Sequence, residues 1–177
     1  MNMMETIAKR QSCRKYKEEQ ISDQELEIIV QAANASPVSM GDFKDVKLTV
    51  IQNKELIQKL EANAYNIMAG IGAQATYGAP TIIVINGKKE EGMKAGIPYC
   101  NASCVAENIM LAATELGLGS VYLLAVPLTM QYNLELCKEA MVPEGYAPMV
   151  VVAVGKPVEE LKPRELTTDK FKIDYIK

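Results

Sequence analysis

The segment from Arg10 to Tyr16 carries the densest chemistry in the chain. Arg10, Ser12, Arg14 and Lys15 place three cations and a hydroxyl within six residues. Guanidinium groups meet phosphate oxygens through planar, paired hydrogen bonds, and a serine hydroxyl adds a donor. Spacing alone leaves two readings: a phosphate contact, or a solvated basic helix end. Lys162-Pro163-Arg164 is a second, smaller basic cluster far along the chain. The complementary observation is that the 177 residues include no histidine. This excludes Ser-His-Asp and Cys-His catalysis, His-ligated zinc and haem, and the usual general base near neutral pH. An enzyme built from this sequence leaves its hard chemistry to a bound cofactor.

Other candidate centres are weaker. Cys13, Cys100, Cys104 and Cys137 form no C-x-x-C pair. Cys100 and Cys104 could share a helix face, but a structural zinc or iron–sulfur site needs four ligands, so the thiols read as reduced and mostly buried. Gly70-Ile71-Gly72-Ala73-Gln74-Ala75 and Gly117-Leu118-Gly119 look like dinucleotide fingerprints. Such a motif must follow a strand and open a helix, and both clusters stand in the reverse order.

The length and a 49% hydrophobic composition suit a single domain spanning 1–177 with a full core. A net charge of −3 argues against nucleic acid or an anionic membrane as partner. No apolar run approaches a membrane span and Met1–Lys9 lacks the apolar centre of a signal peptide, so the chain reads as cytoplasmic.

The elements that must position the basic residues follow from periodicity. A first helix is expected through Thr6–Arg10. Ser22 to Glu25 is a capping box, and Leu26, Ile29, Val30 and Ala33 continue a second helix. Residues 34–45 read as a loop. Val46, Leu48 and Val50 alternate with Lys47 and Thr49 as a strand with one wet face. Asn53 caps a helix carrying Leu56, Ile57, Leu60 and Ala64. Thr81–Ile85 reads as a central strand, and Pro98 opens a long helix to Leu116 with Gly117 as terminator. Strands follow at 121–124 and 149–154, with one helix between them at about Thr129–Glu139. The tail residues 171–176 alternate like a strand without an obvious partner in the chain. The order predicts an α+β fold with helices on a mixed sheet.

Five motifs in sequence resemble the nitroreductase family of flavoproteins. They are the R-x-S-x-R-x-[FY] opening at Arg10, Ser12, Arg14 and Tyr16; Ala32 to Pro37; Asn108 to Ala113 leading into Leu116 to Ser120; Val142 to Pro148; and Val154 to Pro157. The resemblance implies a nitroreductase-like fold with a central mixed, mostly antiparallel sheet flanked by helices. It implies a homodimer that exchanges its C-terminal tails, binding FMN and using NAD(P)H as reductant. By the same likeness, Arg10, Ser12 and Arg14 contact the flavin phosphate and ring edge, and Lys162 and Arg164 form a second phosphate clamp. Pro37, Val38 and Ser39 cover the flavin from the partner subunit, Leu123 and Leu124 lie by its reactive nitrogen, and Asn66 matches a ring-binding asparagine. No side chain is assigned as a catalytic acid or base, and no metal is expected.

The implied activity is ping-pong electron transfer from NAD(P)H to a small-molecule acceptor of nitroaromatic or quinone type. Reductive dehalogenation, flavin fragmentation or a non-catalytic flavin-binding role are the alternatives on the same fold. Two departures stand out. The family's P-S-x-x-N-x-Q-P-W loop is Pro37-Val38-Ser39-Met40-Gly41-Asp42-Phe43-Lys44 here, without the polar and aromatic side chains. The connection from Asn86 to Ile97 is short, which predicts a reduced or open substrate pocket. Small residues Ala102, Ala106, Ala112 and Ala113 on the long helix suit either a dimer interface or close packing within one chain.

Overall fold

The computed structural model describes residues 1–68 and 74–177. Six α-helices and four strands alternate along these residues: α1 Met3–Lys9, α2 Asp23–Asn34, β1 Val46–Ile51, α3 Lys54–Ile67, β2 Thr81–Lys88, α4 Ile97–Glu115, β3 Gly119–Leu123, α5 Ala125–Met130, α6 Leu134–Glu139 and β4 Tyr146–Gly155. The strands form one sheet in the order β1-β2-β4-β3, every neighbour antiparallel. Among the described residues, a parallel element enters only through the isolated bridge Ser12–Ser120 beyond β3.

Two hydrophobic layers explain the strand sequences. Ile82 and Val84 of β2 face α3, α5 and α6 together with Val121, Leu123, Val151 and Ala153. Ile83 and Ile85 face α2 and α4 together with Val150, Val152 and Val154. Both faces of β2 and β4 are thus buried, and their sequences run continuously apolar. The edge strand β1 keeps the expected alternation, with Val46, Leu48 and Val50 packing toward α2 and α4.

Helix signals operate where expected, with three adjustments. Ser22 caps α2 and Asn53 caps α3 through side-chain bonds to Glu25 N and Leu56 N. The first helix starts earlier than expected because Asn2 and Glu5 form a capping box, and it ends before Arg10 turns away at ψ 118°. The single helix expected at 129–139 is two helices, since Asn133 caps a new one by accepting from Leu136 N. Residues 171–176 form no strand with the chain and are exposed.

The alanines of α4 answer the packing question. Ala102, Ala106 and Ala113 are at most 1% exposed within this one chain, inside the layer shared with α2 and the sheet. Their small side chains bring α4 close to its own sheet and leave these three out of reach of a partner, while Ala112 is half-buried against the same layer. The residues 70–73 of the first glycine cluster lie outside the described residues; α3 precedes that cluster and β2 follows it. Gly117, at φ +77°, terminates α4 as the sequence predicts.

Candidate functional site

The opening segment is a strap along the free edge of β3. Cys13 N donates to Ser120 O at 2.9 Å, and Tyr16 bridges Pro157 while Lys17 N donates to Lys156 O at 2.9 Å. Cys13 and Tyr16 are buried in the core, whereas Ser12, Arg14 and Lys15 are exposed. Tyr16 therefore anchors the strap. Its hydroxyl donates to Cys13 O at 3.0 Å, and burial raises its pKa far above the ordinary phenol value, so it stays protonated. Close approach to β3 depends on Gly119, where an added Cβ would sit 2.6 Å from Cys13 Sγ and 2.8 Å from Cys13 Cβ.

The tail returns to the same edge. Val158 N donates to Lys15 O at 3.2 Å, Gln11 Nε2 donates to Lys162 O at 2.9 Å, and Arg164 N donates to Ala8 O at 3.0 Å. Ser12, Cys13, Arg14, Lys15, Glu159 and Leu161 line a groove of about 240 Å³ between strap and tail. Among the described residues, Arg10, Arg14, Lys162 and Arg164 make no salt bridge. Arg14, Lys162 and Arg164 are exposed and Arg10 is half-buried; Arg164 Nη2 donates to Ile7 O at 3.4 Å, and cations without carboxylate partners beside a hydroxyl suit an anion with several oxygens.

The sequence-derived candidates divide into groups. Arg10, Ser12 and Arg14 lie on the strap and Lys162 and Arg164 on the tail; hydrogen bonds hold the two segments side by side, and Ser12 and Arg14 line the groove between them. Leu123 ends β3, the strand that the strap borders, and is buried; Leu124 follows it and is 45% exposed. Asn66 is exposed in the last turn of α3 and makes no side-chain hydrogen bond to those residues among the described ones. Pro37, Val38 and Ser39 lie apart from the strap. They precede β1, at the opposite end of the strand order, and Ser39 N donates to Asn101 Oδ1 of α4 at 2.9 Å.

Several residues on the long helix gain specific roles. Asn101 is 7% exposed and holds the Ser39 loop, and Ser103 shares a hydrogen bond with the Tyr122 hydroxyl at 2.9 Å. Glu107 is simply exposed. Cys100 and Cys104 are exposed free thiols, and no metal-binding cluster occurs among the described residues. Burial raises the pKa of the Cys137 thiol, which suppresses its thiolate. Sequence reasoning missed Tyr77, whose ring lies 5.8 Å from the Arg14 guanidinium carbon. The Tyr77-Gly78 pair ahead of Pro80 signals a turn, but nothing in that signal points to Arg14.

The layers define an α+β protein with a cationic sheet edge and, in a chain without histidine, no histidine-based catalytic group. A sequence profile of the Nitroreductase family matches residues 7–156, and the chain belongs to that family. It is similar to a nitroreductase with bound FMN from Desulfitobacterium hafniense DCB-2, at 32% identity and TM-score 0.86 over 100% of both chains. It is also similar to an FMN-dependent nitroreductase from Clostridium difficile R20291, at 27% identity and TM-score 0.77 over 98% of this chain and 100% of that one. An Archaeoglobus fulgidus protein with the provisional name NADH dehydrogenase/NAD(P)H nitroreductase is 29% identical over 98% of this chain and 95% of its own length. No helix among the described residues is long and apolar enough to cross a membrane.

Proposed function

We propose that this chain is an FMN-dependent oxidoreductase that moves two electrons from NAD(P)H to an electron-poor acceptor, working as a homodimer. The carrying observation is the shared cationic edge: strap and tail meet beside the start of β3, and among the described residues its cations lack carboxylate partners. The residues fit the cofactor's anionic end, because a phosphate of about two negative charges needs several cations and aligned donors. When bound, FMN supplies the redox chemistry, taking a hydride from NAD(P)H and delivering two electrons to a nitroaromatic or quinone-type acceptor.

In this reading Arg10, Arg14, Lys162 and Arg164 neutralise the phosphate and orient the cofactor, and Ser12 donates a hydrogen bond. Leu123 and Leu124 offer apolar surface and backbone groups to the ring, and Asn66 reaches its polar edge. Pro37, Val38 and Ser39 of each copy cover the site of the other. That assignment is supported by their separation from the strap within one chain. The C-terminal tail, exposed and unpaired beyond Arg164, packs on the second copy. The connection between β2 and α4 holds only a short 3-10 turn, Gly92–Lys94, and favours an open pocket that admits bulky acceptors.

One site serving reductant and acceptor in turn gives ping-pong kinetics. Initial rates of NADH and NADPH oxidation, measured at several concentrations of a nitroaromatic, should give parallel double-reciprocal lines. Intersecting lines would contradict the shared site. Failure to oxidise either nucleotide with any acceptor would remove the enzymatic reading.

A further inference from the structure

Tyr77 lies outside the residues assigned so far, yet its ring is in cation–π range of Arg14, at 5.8 Å. Its backbone sits at φ +59°, in the left-handed region that bulky side chains rarely adopt. Gly78 follows at φ +74°, and Ala79 N donates to Thr76 O at 3.2 Å. Residues 76–79 therefore form a tight turn with both central residues left-handed, where asparagine, aspartate or glycine is the less costly first residue. A tyrosine held there is a strained choice, and strain of this kind collects at functional sites.

The turn is clamped from behind. Glu61 of α3 is 8% exposed, and its Oε1 accepts from Thr76 N at 3.0 Å and from Thr76 Oγ1 at 2.6 Å. Ala75 and Ala79, flanking the turn, are buried in the same layer as Tyr16. Gln20 Nε2 donates to Pro80 O at 2.9 Å. The ring thus stands on a fixed base, while the Arg14 side chain that it meets is exposed and, among the described residues, makes no salt bridge. An arginine so placed has many rotamers, and each must be given up when it grips a ligand.

We propose that Tyr77 is a positioning residue for Arg14. Its ring, fixed through the Glu61–Thr76 clamp, restricts the guanidinium before the flavin arrives and so lowers the ordering cost of binding. This inference rests on the proposed placement of the flavin beside Arg14. A tyrosine ring in this role acts through its face, so the hydroxyl is dispensable.

Four variants compared with the parent test it, using flavin release from the purified full-length protein on dilution, read by recovery of flavin fluorescence. Tyr77→Asn suits the left-handed backbone, so thermal stability should hold or rise while FMN affinity falls about two- to fivefold. Tyr77→Phe should keep the parent affinity. Arg14→Gln should weaken binding, and adding Tyr77→Asn to it should cost nothing further. Equal losses from Tyr77→Asn with and without Arg14, or no loss at all, would overturn the positioning role. If Arg14→Gln alone leaves FMN affinity unchanged, the placement of the flavin fails first, and the role of Tyr77 falls with it.

Discussion

The strap beside β3 and the loop ahead of β1 both carry residues expected at one ligand, yet they are built in opposite ways. The strap is anchored by buried Cys13 and Tyr16 and turns Ser12, Arg14 and Lys15 outward as unpaired polar groups. The loop, from Pro37 to Asp45, exposes the apolar side chains of Met40 and Phe43, and its Ser39 N–H is already taken by Asn101. Cations without carboxylate partners among the described residues, at one edge of the sheet, suit a charged ligand; a pinned loop at the other edge, with Asp42 paired to Lys44 and Asp45 to Lys88, can cover one. The contrast teaches that, on the proposed placement of the flavin, a single copy presents two unlike half-sites and a complete site needs both kinds.

The contrast breaks most sharply at the cations. Arg14→Ala combined with Arg164→Ala removes two charge-assisted contacts, each worth about 1.5–3 kcal/mol. The variant should purify colourless, with FMN affinity down by about a hundredfold or more. Undiminished yellow colour would remove the phosphate assignment. Truncation after Pro163 takes away Arg164 and the exposed tail, and should shift the protein from dimer toward monomer in sedimentation. A truncated chain that remains a tight dimer would refute tail exchange.

Smaller changes sharpen the comparison by loosening one half-site at a time. Gly119→Ala drives a methyl into Cys13 and should destabilise the chain by about 1–3 kcal/mol, with a loss of FMN affinity as Ser12 and Arg14 shift. Asn101→Ala frees the loop without touching the strap and should cost about 1 kcal/mol in urea unfolding. If Asn101→Ala weakened the first grip on FMN as much as Gly119→Ala, the two edges would not divide the work as described.

Some of this was legible in the sequence for clear physical reasons. Capping boxes and apolar periodicity are local, so α2, α3 and α4 could be placed, and the doubly buried β2 showed as a continuous apolar run. The cations of the strap were legible as types at a spacing. Their association with Lys162 and Arg164 was implied by the family resemblance but not legible in spacing, because it depends on backbone pairing between residues 15–17 and 156–158. The break between α5 and α6 was hidden because Asn133 acts as a cap only through its geometry. The alanines of α4 fitted two packings equally well until burial assigned them to their own core. Tyr77 escaped because its partner lies 63 positions earlier and the link is a ring face rather than a motif.

The smallest expected effect lies in the cap of α2. Hydrogen bonding from Ser22 N–H holds the Glu25 carboxyl below its ordinary value of 4.5. Stability from this contact is fully present above that unfolded value and is lost as pH falls through the lower folded one. Glu25→Gln should remove this acid-side loss, changing stability by no more than about 0.5 kcal/mol because the contact is solvent-exposed. Urea unfolding at neutral and acidic pH compares the two proteins.

The most direct measurement is the absorbance spectrum of the purified protein, followed by identification of the chromophore released on denaturation. A flavin spectrum with FMN as the released species, close to one per chain, is the expected result. Protein that carries no flavin, and takes up none when FMN is added, would contradict the central claim that the cationic edge holds this cofactor.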